Sequence, residues 1–232
     1  MHKNLQAVIL AGGKGTRLNK ITKKTPKAMV LINGVPFLEI LINQIKKQGI
    51  DKILVLTGYK GKIIEDYIKK KKDKNIVFHR SPIKYQTLSR IINAKKLILN
   101  NFLLMYCDNY LINFNLKKTL KIYKKNKSNI ILSVVKKKKN QKGNVLFKKK
   151  NIVYQKGLVS NYVEAGYMMI NKSNLFRKKL QIFNQNTDFS KILEHYSLQS
   201  KLKIILSSKG FFCIESSDLM NQTNKYFKNK LN

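Results

Sequence analysis

The chain has 232 residues, 43% of them hydrophobic and 25% charged, which predicts one ordinary globular domain with a sizeable core. No run of 18 apolar residues is present, so a membrane-spanning helix is excluded. The opening MHKNLQAVILAGGKG lacks a signal-peptide layout, because its short apolar run ends in glycines. The two cysteines, Cys107 and Cys213, argue against a disulfide framework and fit a reducing, cytoplasmic setting.

The formal charge of +37 comes from 44 Lys against 4 Arg, in a chain with 27 Ile, 25 Asn and only 5 Ala. Lys, Ile and Asn are the residues of A/T-rich codons, so codon drift accounts for the composition. A nucleic-acid binder would be expected to recruit the planar fork of Arg and to interleave aromatics with its basic residues. Neither is seen. The charge still favours small anionic substrates.

In chain order, Gln6–Ala11 predicts a short buried strand stopped by Gly12 and Gly13. Residues 37–48 place Leu38, Leu41, Ile42 and Ile45 on one helical face, and Gly49 ends that helix. Lys52–Thr57 predicts a second buried strand. Lys62–Lys71 predicts a second helix, with Ile63, Ile64, Tyr67 and Ile68 at helical spacing. Strand Ile76–His79, helix Ser89–Leu99, strand Phe102–Cys107, helix Leu116–Lys125 and strand Ile130–Val135 continue the alternation, which implies parallel βαβ units. After residue 140 the predicted strands are Asn144–Phe147, Ile152–Gln155, Tyr162–Ile170, Lys203–Leu206 and Gly210–Ile214, with helices near 188–196 and 217–229. The expected fold is α/β: a Rossmann-like doubly wound mixed sheet with a small β extension, ligands sitting at the carboxyl ends of its strands.

The strongest chemical signal is Leu10-Ala-Gly-Gly-Lys-Gly-Thr-Arg-Leu18, directly after the first strand. Three glycines allow backbone N–H groups to approach a phosphate, and Lys14 and Arg17 add charge beside them. The spacing matches neither the Walker A motif nor the dinucleotide fingerprint. Thr25-Pro-Lys-Ala-Met29 then places Lys27 in a segment held extended by Pro26, and Ile32-Asn-Gly-Val-Pro-Phe-Leu-Glu39 follows.

In this order and spacing the three segments resemble the sugar-1-phosphate nucleotidyltransferases, which include mannose-1-phosphate and heptose-1-phosphate guanylyltransferases. The resemblance implies a GT-A-like nucleotidyltransferase fold as a single domain over 1–232. Residues 1–140 would form its nucleotide-binding half, and 141–232 the acceptor-binding and closing half. It implies that an NTP and a sugar 1-phosphate react to give an NDP-sugar and pyrophosphate for polysaccharide or glycoconjugate synthesis, with Mg²⁺ as cofactor. Leu10, Ala11, Gly12, Gly13, Lys14, Gly15 and Thr16 would bind the nucleotide, as would Gln86 and Thr87. Arg17, Lys27 and Asp108 carry over as catalytic residues. Asp108, which closes Leu103-Leu-Met-Tyr-Cys-Asp108, also carries over as a metal ligand. Lys156 in Tyr154-Gln-Lys156, and Glu164 and Gly166 in Tyr162-Val-Glu-Ala-Gly166, would meet the acceptor.

The departures are as informative. Tyr85-Gln-Thr-Leu-Ser89 stands where the family often has a double glycine, which leaves the nucleobase open. Phe212-Cys-Ile-Glu215 resembles the segment with a second metal carboxylate. One alignment puts Glu215 there, whereas a shift of two puts Cys213 there, and a thiol is a poor Mg²⁺ ligand. Two other readings stay open: a cytidylyltransferase for a small phospho-alcohol such as phosphocholine, with Tyr162, Tyr167 and Glu164 around the cation, and a silent sugar-nucleotide-binding subunit. A homo-oligomer is also left open. His2, His79 and His195 have no metal spacing or catalytic partner motif.

Overall fold

The computed structural model describes residues 4–126, 130–137, 143–148, 151–176, 186–228 and 230. The apolar run Leu5–Ala11 forms β1, buried at every position. A short helix α1 (Asn19–Thr22) leads to a two-stranded hairpin, β2 (Leu31–Ile32) and β3 (Val35–Pro36), turning at Asn33 and Gly34. Then come α2 (Phe37–Lys47), β4 (Lys52–Thr57), α3 (Gly61–Lys70) and β5 (Ile76–Arg80), close to the predicted bounds. The central segment continues with α4 (Thr87–Asn93), β6 (Asn101–Tyr106), β7 (Asn109–Leu111), α5 (Leu116–Lys125) and β8 (Ile130–Lys136). The chain closes with β9 (Val145–Lys148), β10 (Asn151–Tyr154), β11 (Tyr162–Asn171), α6 (Lys172–Leu175), α7 (Phe189–Leu198), β12 (Leu202–Ser207), β13 (Phe211–Cys213) and α8 (Ser217–Phe227).

The main sheet has nine strands in the order β10-β9-β11-β6-β1-β4-β5, with β8 paired to β11 and β12 to β8. β1 pairs in parallel with β4 on one side and β6 on the other, and β4 with β5. β11 runs antiparallel to both β6 and β8. The chain thus builds outward from β1 to β5, then returns as β6 on β1's other side. Such a reversal opens a crevice at the carboxyl ends of the strands. One face carries α2, α3 and α5 over a core that includes Ile9, Phe37, Leu41 and Met105; the other carries α4 and α7 over Val8, Leu104, Phe189 and Leu193.

One expectation changes. The helix expected over 89–99 ends at Asn93, and a 3₁₀ turn covers Lys95–Leu97. The buried Gln6 side chain binds Leu97 O (3.2 Å) and Leu99 N (2.9 Å), drawing the segment out of the helix and onto the sheet. Of the strands after residue 140, β9 to β12 join the main sheet, and β13 pairs with β7 in a sheet of two strands. The stretch Ala165–Ile170 is fully buried, and an apolar strand buried on both faces needs neighbours on both edges, so β11 enters the main sheet between β6 and β8.

The β11–β8 register shifts between Glu164 and Met168, which marks a bulge at Gly166 (φ 80°). A Cβ there would lie 2.7 Å from Asn109 Nδ2, whereas one at Gly210 (φ 72°) would meet nothing within 4 Å. Gly166→Ala should therefore combine a clash with backbone strain and cost about 1–3 kcal/mol. Gly210→Ala should cost only the left-handed penalty of about 1–2 kcal/mol. Urea denaturation of the two variants checks the order.

Candidate active site

The glycine loop leaves β1 at the strand-order reversal. Gly15 sits at φ 63°, and its carbonyl accepts from Leu18 N and Thr22 Oγ1, both at 3.0 Å. A Cβ at Gly15 would lie 2.9 Å from Thr22 Cγ2, so that position requires glycine. Gly13 is open, with nothing within 4 Å of where its Cβ would be. Among the described residues the N–H groups of Gly13, Lys14 and Gly15 make no protein hydrogen bond, and Lys14 is exposed. Free N–H groups beside a cation suit an anionic ligand.

Gly12 has a different job. The Arg90 side chain, only 3% exposed, reaches from α4 to the ends of β1 and β4. It donates from Nη1 to Thr57 O (3.1 Å) and from Nη2 to Ile83 O (3.2 Å). A Cβ on Gly12 would lie 2.5 Å from its Cζ, and one on Gly58 2.2 Å from Nη1. Burial holds the Arg90 guanidinium below its ordinary pKa. Next to it, Gly58, Lys60, Arg80 and Ile83 help line a cavity of about 430 Å³ at the ends of β4 and β5.

Pro26 is extended as expected (φ −63°, ψ 147°), but Lys27–Met29 coil into a 3₁₀ turn, a correction to the extended segment expected there. The turn aims Lys27 inward, where Nζ donates to Asp108 Oδ2 at 2.5 Å. Burial pulls the Lys27 pKa down, but the Asp108 charge and hydrogen bond outweigh it and the net shift is upward, so the ammonium persists. Asp108 lies in the turn between β6 and β7, and its carbonyl accepts from Ile214 N at 3.0 Å. β13 runs antiparallel to β7, with Cys213 opposite Asn109. This pairing brings the donor atoms of Asp108, Cys213 and Glu215 within 4.8 Å of one another. Both alignments of the last motif therefore reach the same place. Glu215 also forms an ion pair with Arg17.

Glu164 sits on β11, 6% exposed, and its carboxylate accepts from Gly166 N within the bulge. Burial raises its pKa to about 8, opposed by that hydrogen bond and reinforced by Asp108 and Asp188. Tyr106 and Tyr154 lie within electrostatic reach of it, and both phenols titrate high through burial. Tyr167, expected beside Glu164 in one reading, belongs to the core instead. Its ring packs on Phe114 at 5.1 Å and its hydroxyl donates to Gln44 Oε1 at 2.5 Å.

Not every expected residue joins this cluster. Gln86 caps α4, and Thr87 Oγ1 binds Asp188 Oδ2 (3.1 Å) and Phe189 N (2.6 Å), so Thr87 is engaged in docking α4 to α7. Lys156 is exposed in the turn after β10.

A family model described as nucleotidyl transferase matches residues 6–165. The chain belongs to the nucleotidyl transferase family. It is 48% identical over 65 residues to D-glycero-alpha-D-manno-heptose 1-phosphate guanylyltransferase of Campylobacter jejuni, covering 28% of this chain and 29% of that one. It is 36% identical over 107 residues to choline-phosphate cytidylyltransferase of Streptococcus pneumoniae, covering 46% of each. The chain thus spans less than half the length of these curated relatives. The solved structure of HddC from Yersinia pseudotuberculosis superposes with a TM-score of 0.77 at 24% identity, over 96% of this chain and 99% of that one, a likeness of fold. Among the described residues no helix is long and apolar enough to cross a membrane.

Sequence reasoning missed Arg90, Tyr106 and Asn109 in this family member. The available signal for Arg90 was its rarity: it is one of four arginines in the chain, set between Leu88 and Ile91 on the helix.

Glu164 also gives a pH prediction. Its folded pKa, about 8, lies above the ordinary carboxylate value, so between the two the native state holds a proton that the unfolded state has lost. Its stabilising contribution is complete below the unfolded pKa and disappears as pH rises through about 8, with a slope of at most about 1.4 kcal/mol per pH unit. Glu164→Gln should abolish this fall. Denaturation of parent and variant from about pH 5 to about pH 9 should show their stabilities diverging in favour of the variant.

Proposed function

We propose that this nucleotidyl transferase couples an NTP to a sugar 1-phosphate, releasing an NDP-sugar and pyrophosphate. The observation that carries the reading is the meeting of Lys27 Nζ with Asp108 beside open N–H groups, where β1 and β6 part. A phosphate oxygen of the acceptor attacks the α-phosphorus of the NTP, and the bond to the bridging oxygen of pyrophosphate breaks. Such transfers depend on positioning and charge neutralisation more than on covalent help from the protein.

Each side chain has a task on this account. The N–H groups of Gly13 and Gly15, with Lys14, hold the β- and γ-phosphates. Arg17, exposed and tied to Glu215 by an ion pair, can turn to the departing pyrophosphate. Lys27 stays charged and neutralises the α-phosphate as negative charge builds on it. The residues fit a divalent cation: Asp108 and Glu215 offer carboxylate oxygens close together, and these would hold it. When bound, it supplies further neutralisation of phosphate charge. Mg²⁺ is the ion the family resemblance brings. Lys156 and Gly166 would meet the acceptor from the second half of the chain. The NTP donor and the reduced cysteines go with a cytoplasmic enzyme.

A second reading has its own support. Tyr106 and Tyr154 near the buried Glu164 carboxyl offer aromatic surroundings that attract a quaternary ammonium, whose charge would in turn favour loss of the Glu164 proton. Phosphocholine with CTP is the substrate pair of that reading. Pyrophosphate release, measured with each of four NTPs against a pool of sugar 1-phosphates and against phosphocholine, separates the two. Turnover with one NTP and one sugar phosphate upholds the first; turnover confined to CTP and phosphocholine replaces it. In either case Lys27→Ala should lower kcat/KM by about 10²–10³-fold, the usual cost of removing one stabilising donor. A loss of only a few-fold would remove Lys27 from the chemistry.

A further inference from the structure

We propose that the cation at this site is held by a thiolate as well as by carboxylates, so that the protein prefers a borderline-soft divalent ion of the Zn²⁺ or Co²⁺ class to Mg²⁺. The proposal rests on the reading of Asp108 as a metal-holding carboxylate, and it adds Cys213 as an inner ligand and the identity of the ion as its consequence.

The geometry carries it. Among the described residues, Asp108, Cys213 and Glu215 are the group of three metal-capable donors whose atoms lie within 4.8 Å of one another. Donors bound to one ion at about 2.0–2.3 Å fall well inside that span. Their convergence is fixed by backbone: β13 pairs with β7, Cys213 lies opposite Asn109, and Ile214 N donates to Asp108 O at 3.0 Å. Cys213 is buried, while Asp108 and Glu215 are half-exposed, so the sulfur forms the floor and the carboxylates the open rim. The cluster already holds cations: Lys27 engages one oxygen of Asp108 and Arg17 one of Glu215.

The chemistry of the donor set decides which ion fits. Mg²⁺ demands six oxygens in near-ideal octahedral order, usually several of them water. A buried sulfur on the floor gives it nothing and takes the place of a water. Zn²⁺ and Co²⁺ bind thiolate well, and a set of one sulfur and two carboxylate oxygens leaves a position for a substrate oxygen. Cys213 S–H is hydrogen-bonded to Glu215. On binding, the S–H bond gives way to a sulfur–metal bond and one proton passes to solvent. Cys107, also buried and next to Asp108 in the chain, lies outside the set of three and serves as the control thiol.

The test is Co²⁺ titration of the metal-free protein, read by absorbance. The expected result is a near-ultraviolet sulfur-to-cobalt charge-transfer band that survives Cys107→Ser and disappears in Cys213→Ser. Zn²⁺ should raise the melting temperature of the parent at concentrations where Mg²⁺ does not, and Cys213→Asp should narrow that gap by weakening Zn²⁺ and strengthening Mg²⁺. Zn²⁺ affinity in Cys213→Ser should fall by more than the roughly 10–100-fold that changes outside the first layer of ligands produce. Pyrophosphate release with Mg²⁺ but no cobalt–sulfur band overturns the thiolate ligand and leaves the transferase reading standing. A Cys213-dependent band without turnover on any NTP upholds the thiolate site and overturns the transferase reading.

Discussion

The contact between Lys27 and Asp108 organises this protein. It joins residues 81 apart in sequence at the mouth of the crevice between β1 and β6. Neither charge is tolerable alone in so covered a position, because an unpaired buried charge forfeits its hydration without compensation. Together they fix the turn after Pro26 against the turn after β6. The remaining chemistry assembles around this pair: β13 comes alongside β7, bringing Cys213 and Glu215, and Glu215 in turn holds Arg17 at the end of the glycine loop. A surface that is overwhelmingly positive spends several of its eleven carboxylates here, which marks the crevice electrostatically.

The glycines of the site answer to different constraints. Gly15 needs its left-handed backbone and its clearance from Thr22, and Gly13 leaves room for a ligand. Gly12 and Gly58 make room for the Arg90 guanidinium, which ties the ends of β1 and β4 to the segment before α4. In this chain the double glycine that the family often carries near residue 88 is gone, and an arginine fills the neighbourhood instead. The cavity beside it, at the ends of β4 and β5, is lined by Gly58 and Gly61 together with Lys60, Arg80 and Ile83.

Much of the fold was legible. Every predicted strand from β1 to β8 appears within a residue or two, because each is a short apolar run between polar or glycine breaks and has to be buried. The helices α2, α3 and α5 showed equally clearly through their amphipathic spacing. The failures are tertiary. Gln6 pulls the end of α4 into a turn through two backbone contacts, which no local pattern encodes. Thr87 looked like a loop residue facing nucleotide, yet Asp188, 101 residues away, engages it. Tyr167 shares its face of β11 with Ala165 and Met169, and what covers that face, Phe114 and Gln44, comes from distant segments.

The sequence by itself determined the alternation of strands and helices, the glycine loop, and the residue types the crevice would contain. It did so because local propensity, burial and short-range spacing are written in consecutive residues. Only the tertiary structure decided which acids meet. Lys27, Asp108, Cys213 and Glu215 come from three separated segments, and their juxtaposition depends on the β7–β13 pairing, two three-residue strands too short to be recognised alone. A choice between Cys213 and Glu215 that alignment left open by two residues became a shared site once those strands were paired. The backbone turns back on itself there and places both side chains beside the same carboxylate.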